Sequence, residues 1–143
     1  MGTYKDQSSV KQIISKCVRP YWSNTQRTYG GFSDNQYYLP NYTELQGILS
    51  QNPVFSNVNL GEGFDCDDYS FVLKGSFSMY GKNIGLKASI CLGIAWGLFN
   101  WRLEFHSCNW ILLDDYSFWW VEPSNKNLHE LKSCRGGLTL MLV

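Results

Sequence analysis

The stretch "HSCNWILLDDYSFWWVEP", residues 106–123, predicts two strands joined by a tight turn. Side chains alternate between the two faces of a strand, so His106 shares its face with every second residue. Asp and Ser favour turns, and we expect the chain to reverse at Asp114–Tyr116 and to return as a partner strand. This pairing sets His106 near residue 124 and leaves Glu122 diagonal to it on the same face. The hairpin therefore predicts a histidine within reach of a carboxylate.

A helix is predicted upstream of the hairpin, within "GEGFDCDDYSFVLKG". We expect it over about Asp65–Tyr80, with an aspartate cap at its first residue and Gly81 at its end. Asp67 and Asp68 fall in its first turn, where the helix dipole favours negative charge. Cys66 begins the inward stripe, which continues through Tyr69, Val72, Leu73, Phe77 and Tyr80. The partial positive charge of the helix N-terminus lowers a thiol pKa and helps to hold an oxyanion.

The remaining pattern predicts helices first and an antiparallel sheet second, which is an α+β layout. Two shorter helices are expected over about Asp6–Val18 and Thr43–Gln51, and "LKASICLGIAWGLF" and "GGLTLMLV" are expected to be strands. We interpret residues 1–143 as one domain, with a helical and loop part over about 1–82 and a sheet over about 86–143. A long loop between the first two helices carries aromatic side chains that either line a cleft or pack in the core: Trp22, Tyr29, Tyr37 and Tyr38.

Cys66, His106 and Glu122 together predict a nucleophile, a base and an orienting acid. A thiol nucleophile needs a base close by, and the base needs a third group that fixes its orientation. Each residue alone has a plainer interpretation, as an inert thiol, a structural histidine or a packing carboxylate. The other histidine, His129, lies in a polar stretch and is less suited to be a positioned base. Asn109 falls on the opposite strand face from His106, so we expect it to make a packing hydrogen bond.

Composition excludes several classes of function. Twelve basic residues balance twelve acidic ones, so nothing indicates a nucleic-acid partner. No stretch has the length of a signal peptide or a membrane span, and five cysteines without a C-x-x-C spacing favour a reducing compartment. We therefore expect a cytoplasmic protein without a membrane partner.

Three segments resemble a known family: "FDCDDYSFVLKG", "CLGIAWG" and "HSCNWILLDDYSFWWVEP". In this order they are similar to the papain-like cysteine protease domain of the Marasmius oreades agglutinin type, over roughly residues 61–124. The resemblance implies a papain-like or transglutaminase-like fold, in which a nucleophile helix packs on an antiparallel sheet. It assigns the nucleophile to Cys66, the base to His106 and the orienting acid to Glu122. The chain departs from the family pattern at Ser107–Cys108 and has no β-trefoil lectin repeat.

The resemblance also implies a function, a cofactor and partners. It predicts a calcium-activated cysteine peptidase that hydrolyses amide bonds of a peptide or protein substrate, and it leaves homodimerisation open. Asp67 and Asp68 are the candidate metal ligands, although acids at a helix start are also favourable dipole partners. A transglutaminase or a deamidase would use the same three residues. The alternative from another class is a catalytically inactive papain-like fold that serves as a dimerisation or binding module.

Overall fold

The structure is a computed structural model that describes residues 1–21, 32–52 and 63–141. Its elements follow in the order β1 Thr3–Asp6, α1 Gln7–Val18, a 3₁₀ turn Arg19–Tyr21, β2 Gln36–Leu39, α2 Tyr42–Gln51, α3 Cys66–Asn83, β3 Ser89–Ile90, β4 Leu92–Phe99, β5 His106–Leu112, β6 Phe118–Val121, β7 Leu128–Glu130, a 3₁₀ turn Leu131–Ser133 and β8 Cys134–Met141. The described residues thus form an α+β structure, as the sequence predicts.

Two sheets organise these elements. The larger is antiparallel throughout and has the strand order β7-β6-β5-β4-β8. The smaller has the order β1-β2-β3, in which β1 and β2 pair antiparallel and β2 and β3 pair parallel. The small sheet was not predicted, because β1 and β2 are only four residues long and β2 lies in a stretch that we interpret as a loop.

Helix α3 begins where its capping residues predict. Asp65 accepts a hydrogen bond from the backbone of Asp67, and Asp68 accepts one from the backbone of Asp65, which forms a reciprocal capping box. The predicted end at Gly81 is wrong, because the helix continues to Asn83. Gly81 is buried in the helix, and a Cβ there would meet Leu86 and Ile90 at ordinary van der Waals distance.

The β5–β6 hairpin has the predicted register. Asn109 pairs with Val121 and Leu112 with Phe118, which sets Glu122 opposite Cys108 and diagonal to His106. Tyr116 has a φ of 66° and closes the turn in the left-handed region, which few residue types favour. The long strand predicted from "LKASICLGIAWGLF" is instead divided at Cys91, so that β3 and β4 join different sheets.

Two clusters of buried apolar residues lie on opposite faces of the larger sheet. Helix α1 covers one face, where it meets Trp110 and Trp120. Helices α2 and α3 cover the other, where Leu73 and Phe77 meet Ile111. Tyr37 and Tyr38 are buried in these clusters, whereas Trp22 and Tyr29 of the same predicted loop lie outside the described residues. Among the described residues, no helix combines the length and apolar character of a membrane span.

A glycine in β4 gives a test of this packing. A Cβ atom at Gly93 would lie 2.5 Å from Cζ2 and Nε1 of Trp110, on the paired strand. We expect Gly93→Ala to lower the free energy of unfolding by about 1–3 kcal/mol, since the indole must shift within a close-packed core. Urea unfolding measures the change. Gly75→Ala is the matched control, because a Cβ at Gly75 meets nothing within 4 Å and alanine favours helix. An equal loss in both variants would contradict this packing.

Candidate functional site

A cleft of about 860 Å³ opens where the N-terminus of α3 meets the start of β5. Cys66, His106 and Glu122 line this cleft, so the structure brings the three predicted residues together. Trp101 and Arg102, from the loop between β4 and β5, form another part of its wall. The cleft therefore holds the three residues that the sequence predicts to act together.

Cys66 is the first residue of α3 and is half-buried. A hydrogen bond with the ring of His106 lowers the pKa of the Cys66 thiol, and the backbone N–H of Ser107 adds to this effect. Burial and the nearby charge of Asp65 oppose the shift in pKa but are outweighed. The net result is a thiol that ionises more readily than an ordinary cysteine, as a reactive thiol requires.

His106 joins the thiol to a buried carboxylate. Its Nε2 lies 2.7 Å from Oε2 of Glu122, and both side chains are buried. Burial alone would lower the pKa of His106, but hydrogen bonds with Cys66 and Glu122 raise it to about 8. The same pairing holds the pKa of Glu122 at about 2, against the effect of burial. The carboxylate thus favours the protonated ring, and the ring in turn favours ionisation of the thiol.

Glu122 has several further partners that the sequence did not predict. Its Oε2 accepts a hydrogen bond of 3.0 Å from the indole Nε1 of Trp101. Its Oε1 accepts one of 2.7 Å from the hydroxyl of Ser124 and lies 3.5 Å from Nη2 of Arg102. A polar residue two positions after a carboxylate is a turn signal that could have indicated Ser124. No spacing rule identifies Trp101, whose contact depends on how the β4–β5 loop folds back.

His129 contributes to the cleft as an aromatic wall. Its ring stacks on Trp101 at 3.9 Å between centroids and 3° between planes. Burial lowers the pKa of His129, and its Nε2 is buried without a hydrogen-bond partner. A neutral ring stacked in this way is not placed to act as the base for Cys66.

Two other candidates near the site do not take part in it. Asn109 makes the packing hydrogen bonds expected of it, to the carbonyl groups of Ser70 and Gly93. Cys108 is fully buried, and burial raises its pKa well above the ordinary value. This spare thiol is therefore inert, although it shares the strand face of His106.

Asp67 and Asp68, the predicted metal ligands, face different partners. Asp68 is turned toward the backbone of Asp65, and the converging group consists of Asp65, Cys66 and Asp67. A hydrogen bond with Asp65 raises the pKa of Asp67, so the two carboxyl groups approach each other closely. Calcium takes six to eight oxygen ligands, whereas this group offers two carboxylates and a thiol. These three side chains alone do not complete such a ligand set, and calcium dependence stays a prediction.

Comparisons with known proteins place the fold. No family model matches the chain, and no curated protein matches it. Among solved structures, a PSL1a–E64 complex matches with a TM-score of 0.73 and 21% identity, over 91% of this chain and 46% of that one. Polyporus squamosus lectin bound to the human-type influenza-binding epitope Neu5Acα2-6Galβ1-4GlcNAc matches with a TM-score of 0.72 and 19% identity, over 96% of this chain and 49% of that one. The chain spans about half the length of these structures.

These comparisons correct part of the functional interpretation. The matching structures are lectin structures, which contradicts the assignment to the papain-like cysteine protease family. The prediction of a cysteine peptidase, with a peptide or protein substrate and amide-bond hydrolysis, is contradicted for the same reason. The error has a physical reason. A thiol, an imidazole ring and a carboxylate in this order indicate an activated thiol, but they do not determine which reaction or binding event the thiol serves. The binding-module alternative agrees better with the likeness.

The link between His106 and Glu122 predicts a pH effect on stability. The pKa of His106 is raised to about 8 from its ordinary 6.5, so the stability that it contributes is complete below pH 6.5. That contribution is lost as pH rises through 8. Glu122→Gln removes the charge that holds the proton, and we expect the pKa of His106 to fall and this pH dependence to shrink. Titration of the ring by NMR and urea unfolding at pH 6 and pH 9 measure both effects.

Glu130→Gln is the control for that experiment, because Glu130 is exposed and pairs with Lys132 at the surface. The pKa of His106 in the Glu130→Gln variant should equal its pKa in the unmodified chain. A ring that titrates at the same pH in the Glu122 variant would contradict the role of the carboxylate.

Proposed function

We propose that this chain is a ligand-binding module whose cleft captures its ligand at the thiol of Cys66. The observation that supports the proposal is the convergence of Cys66, His106 and Glu122 on one cleft, where Nε2 of His106 lies 2.7 Å from Oε2 of Glu122 and the ring lowers the pKa of the thiol. A buried structural thiol has no need of such a partner, and the buried cysteines of the described chain, Cys91, Cys108 and Cys134, have their pKa raised by burial. The site combines a helix N-terminus with a histidine, and both favour the thiolate.

The chemistry that this arrangement supports is addition of the thiolate to an electrophilic carbon, such as a carbon of a strained cyclic ether. The Cys66 sulfur forms a bond to the carbon, and the carbon–oxygen bond breaks. The oxygen takes the proton of the His106 imidazolium, which becomes neutral, so atoms and charge balance. Glu122 orients the ring and stabilises its charged form before the step. These are the roles predicted for the three residues, here in a single capture event without turnover.

The proposal includes a more specific fold than the α+β class. We infer a papain-like or transglutaminase-like arrangement within one domain over residues 1–143, because the helix-start cysteine, the strand histidine and the acidic residue occur in that order. One solved structure of similar fold is a complex with E64, so a protein of this fold accepts a small ligand. The glycan named with the other belongs to a chain about twice as long.

Alkylation with iodoacetamide tests the proposal. We expect Cys66 to react well below pH 8, at a site located by mass spectrometry, because His106 favours its thiolate. His106→Ala should slow the reaction at pH 6 by about tenfold, which corresponds to one pKa unit. Incubation with E64 should add one molecule at the same sulfur, and Cys66→Ser should abolish the adduct.

Cys17→Ser is the matched control, because Cys17 is also half-buried but has its pKa raised by burial. This variant should keep the full reactivity of the chain. Equal labelling of Cys17 and Cys66 would overturn the proposal. So would binding of the glycan Neu5Acα2-6Galβ1-4GlcNAc with the same affinity by Cys66→Ser, together with no adduct in the unmodified chain.

Calcium dependence and homodimerisation remain predictions that the same samples can test. If calcium supports the site, a chelator will slow the alkylation of Cys66 and added Ca²⁺ will restore it. Sedimentation of the unmodified chain measures its oligomeric state. An alkylation rate that a chelator leaves unchanged would remove calcium from the description of this site.

A further inference from the structure

Cys66 of α3 and His106 of β5 line the same cleft at the start of β5. On β5, Ser107 and Asn109 bond to α3, and Ile111 packs in the same cluster as that helix. His106 alternates with these residues and lies on the other strand face. Cys66 nevertheless lines the same cleft as His106, and the ring and the backbone N–H of Ser107 both lower the pKa of its thiol. This contact depends on where the first turn of α3 stands relative to the start of β5.

A chain of buried hydroxyl groups links these two elements. Ser70 lies one turn after Cys66, and its Oγ donates to the Cys66 carbonyl oxygen at 3.0 Å. The hydroxyl of Ser107 donates in turn to Oγ of Ser70 at 3.1 Å. Both serines are fully buried. These two hydrogen bonds connect Ser107, the neighbour of His106 on β5, to the backbone of Cys66.

Asn109 adds a second connection from the same face of β5. Its Nδ2 donates to the carbonyl oxygen of Ser70 at 3.0 Å and to that of Gly93 in β4 at 3.1 Å. One amide group thus joins the first turn of α3 to two adjacent strands. The hydrogen bonds to Ser70 therefore come from two residues of β5.

The distribution of buried polar side chains supports a role for this cluster in the site. In the described parts of the chain, the polar or charged side chains that count as buried are His106 and Glu122 of the cleft, and Ser70, Ser107 and Asn109. Apolar residues of similar size would fill the same space without the cost of removing polar groups from water. Here the two hydroxyls and Nδ2 of Asn109 are hydrogen-bonded, while Oδ1 of Asn109 is buried without a partner. The hydrogen bonds that are made specify one arrangement of the elements that they join.

We propose that Ser70, Ser107 and Asn109 are positioning residues, which fix the first turn of α3 against β5 and thereby set the contact between the Cys66 sulfur and His106. The inference rests on the proposed function, since it concerns the same thiol. It assigns these residues no contact with the ligand. Their effect on the thiol is indirect and acts through the position of the helix.

The experiment compares Ser70→Ala and Ser107→Ala with the unmodified full-length chain. The rate of alkylation of Cys66 by iodoacetamide is measured from pH 5 to pH 9, with mass spectrometry to separate it from Cys17. We expect both variants to raise the apparent pKa of the thiol and to slow alkylation at pH 6 by about fivefold, the factor that one lost hydrogen bond supports. Because the two hydroxyls act in series, the double variant should be little slower than Ser70→Ala.

Ser76→Ala is the matched control. Ser76 lies in the same helix and its hydroxyl donates to the Leu73 carbonyl oxygen, so the variant loses a hydrogen bond without changing the contact with β5. It should keep the pH profile of the unmodified chain, whatever its stability to urea. Ser107→Thr keeps the hydroxyl donor and should restore the profile that Ser107→Ala loses.

Each outcome decides the matter. If the folded serine variants keep the unmodified profile, or if Ser76→Ala shifts it equally, the positioning role is overturned. Where Ser70→Ala fails to fold, the milder Ser107→Ala decides. The pKa of His106, followed by NMR in the same variants, gives a readout without alkylation. An unmodified chain whose Cys66 does not react therefore defeats the proposed function, while a His106 titration unmoved by Ser107→Ala defeats this inference.

Discussion

The burial of a charged carboxylate, Glu122, is the constraint on which the cleft depends. A carboxylate that is 2% exposed must replace its lost hydration with hydrogen bonds, or it would take up a proton instead. The replacements come from His106, from Trp101 and from Ser124, with Arg102 nearby. Satisfying one charge therefore fixes the ring orientation and draws in the β4–β5 loop. The cleft has its shape because several segments converge on this residue.

The part of the structure that depends on local pattern could be predicted from the sequence. The apolar spacing gave three helices, and the turn residues gave the hairpin register that sets Glu122 diagonal to His106. In both cases the information lies within one element or across one short turn. Cap chemistry also succeeded for α3, because an aspartate cap bonds to the turn that follows it.

The errors share a physical cause, which is long-range packing. Gly81 was interpreted as a helix end, yet the helix continues to Asn83, and Gly81 is buried next to Leu86 and Ile90. Strand β2 was interpreted as loop, because its pairing partners are β1 near the N-terminus and β3 some fifty residues later. The contact of Trp101 with Glu122 was missed for the same reason. None of these features leaves a signal in the spacing of neighbouring residues.

The sequence determines the function of this site less closely than its fold, because one arrangement of a thiol, a histidine and a carboxylate supports several functions. A thiolate beside an imidazolium can begin a catalytic cycle or can end as a stable adduct, and the difference lies in what happens after the first bond forms. The order of residues predicted the arrangement, but the likeness to lectin structures contradicts the peptidase that the order implied. Fold and chemistry must therefore be weighed separately for this chain.

The site consists of two halves that differ in how firmly they are built. His106 and Glu122 are sixteen residues apart on one hairpin, so their contact forms with the sheet itself. Cys66 comes forty residues before His106 and on a helix, so its contact requires α3 to dock with its first turn at the start of β5. Loss of the thiol contact would leave the ring with Glu122 as its partner and with a smaller rise in its pKa, because Cys66 and Glu122 both raise it. Control of the thiol by helix packing follows from this division, and it explains why polar groups are buried between α3 and β5.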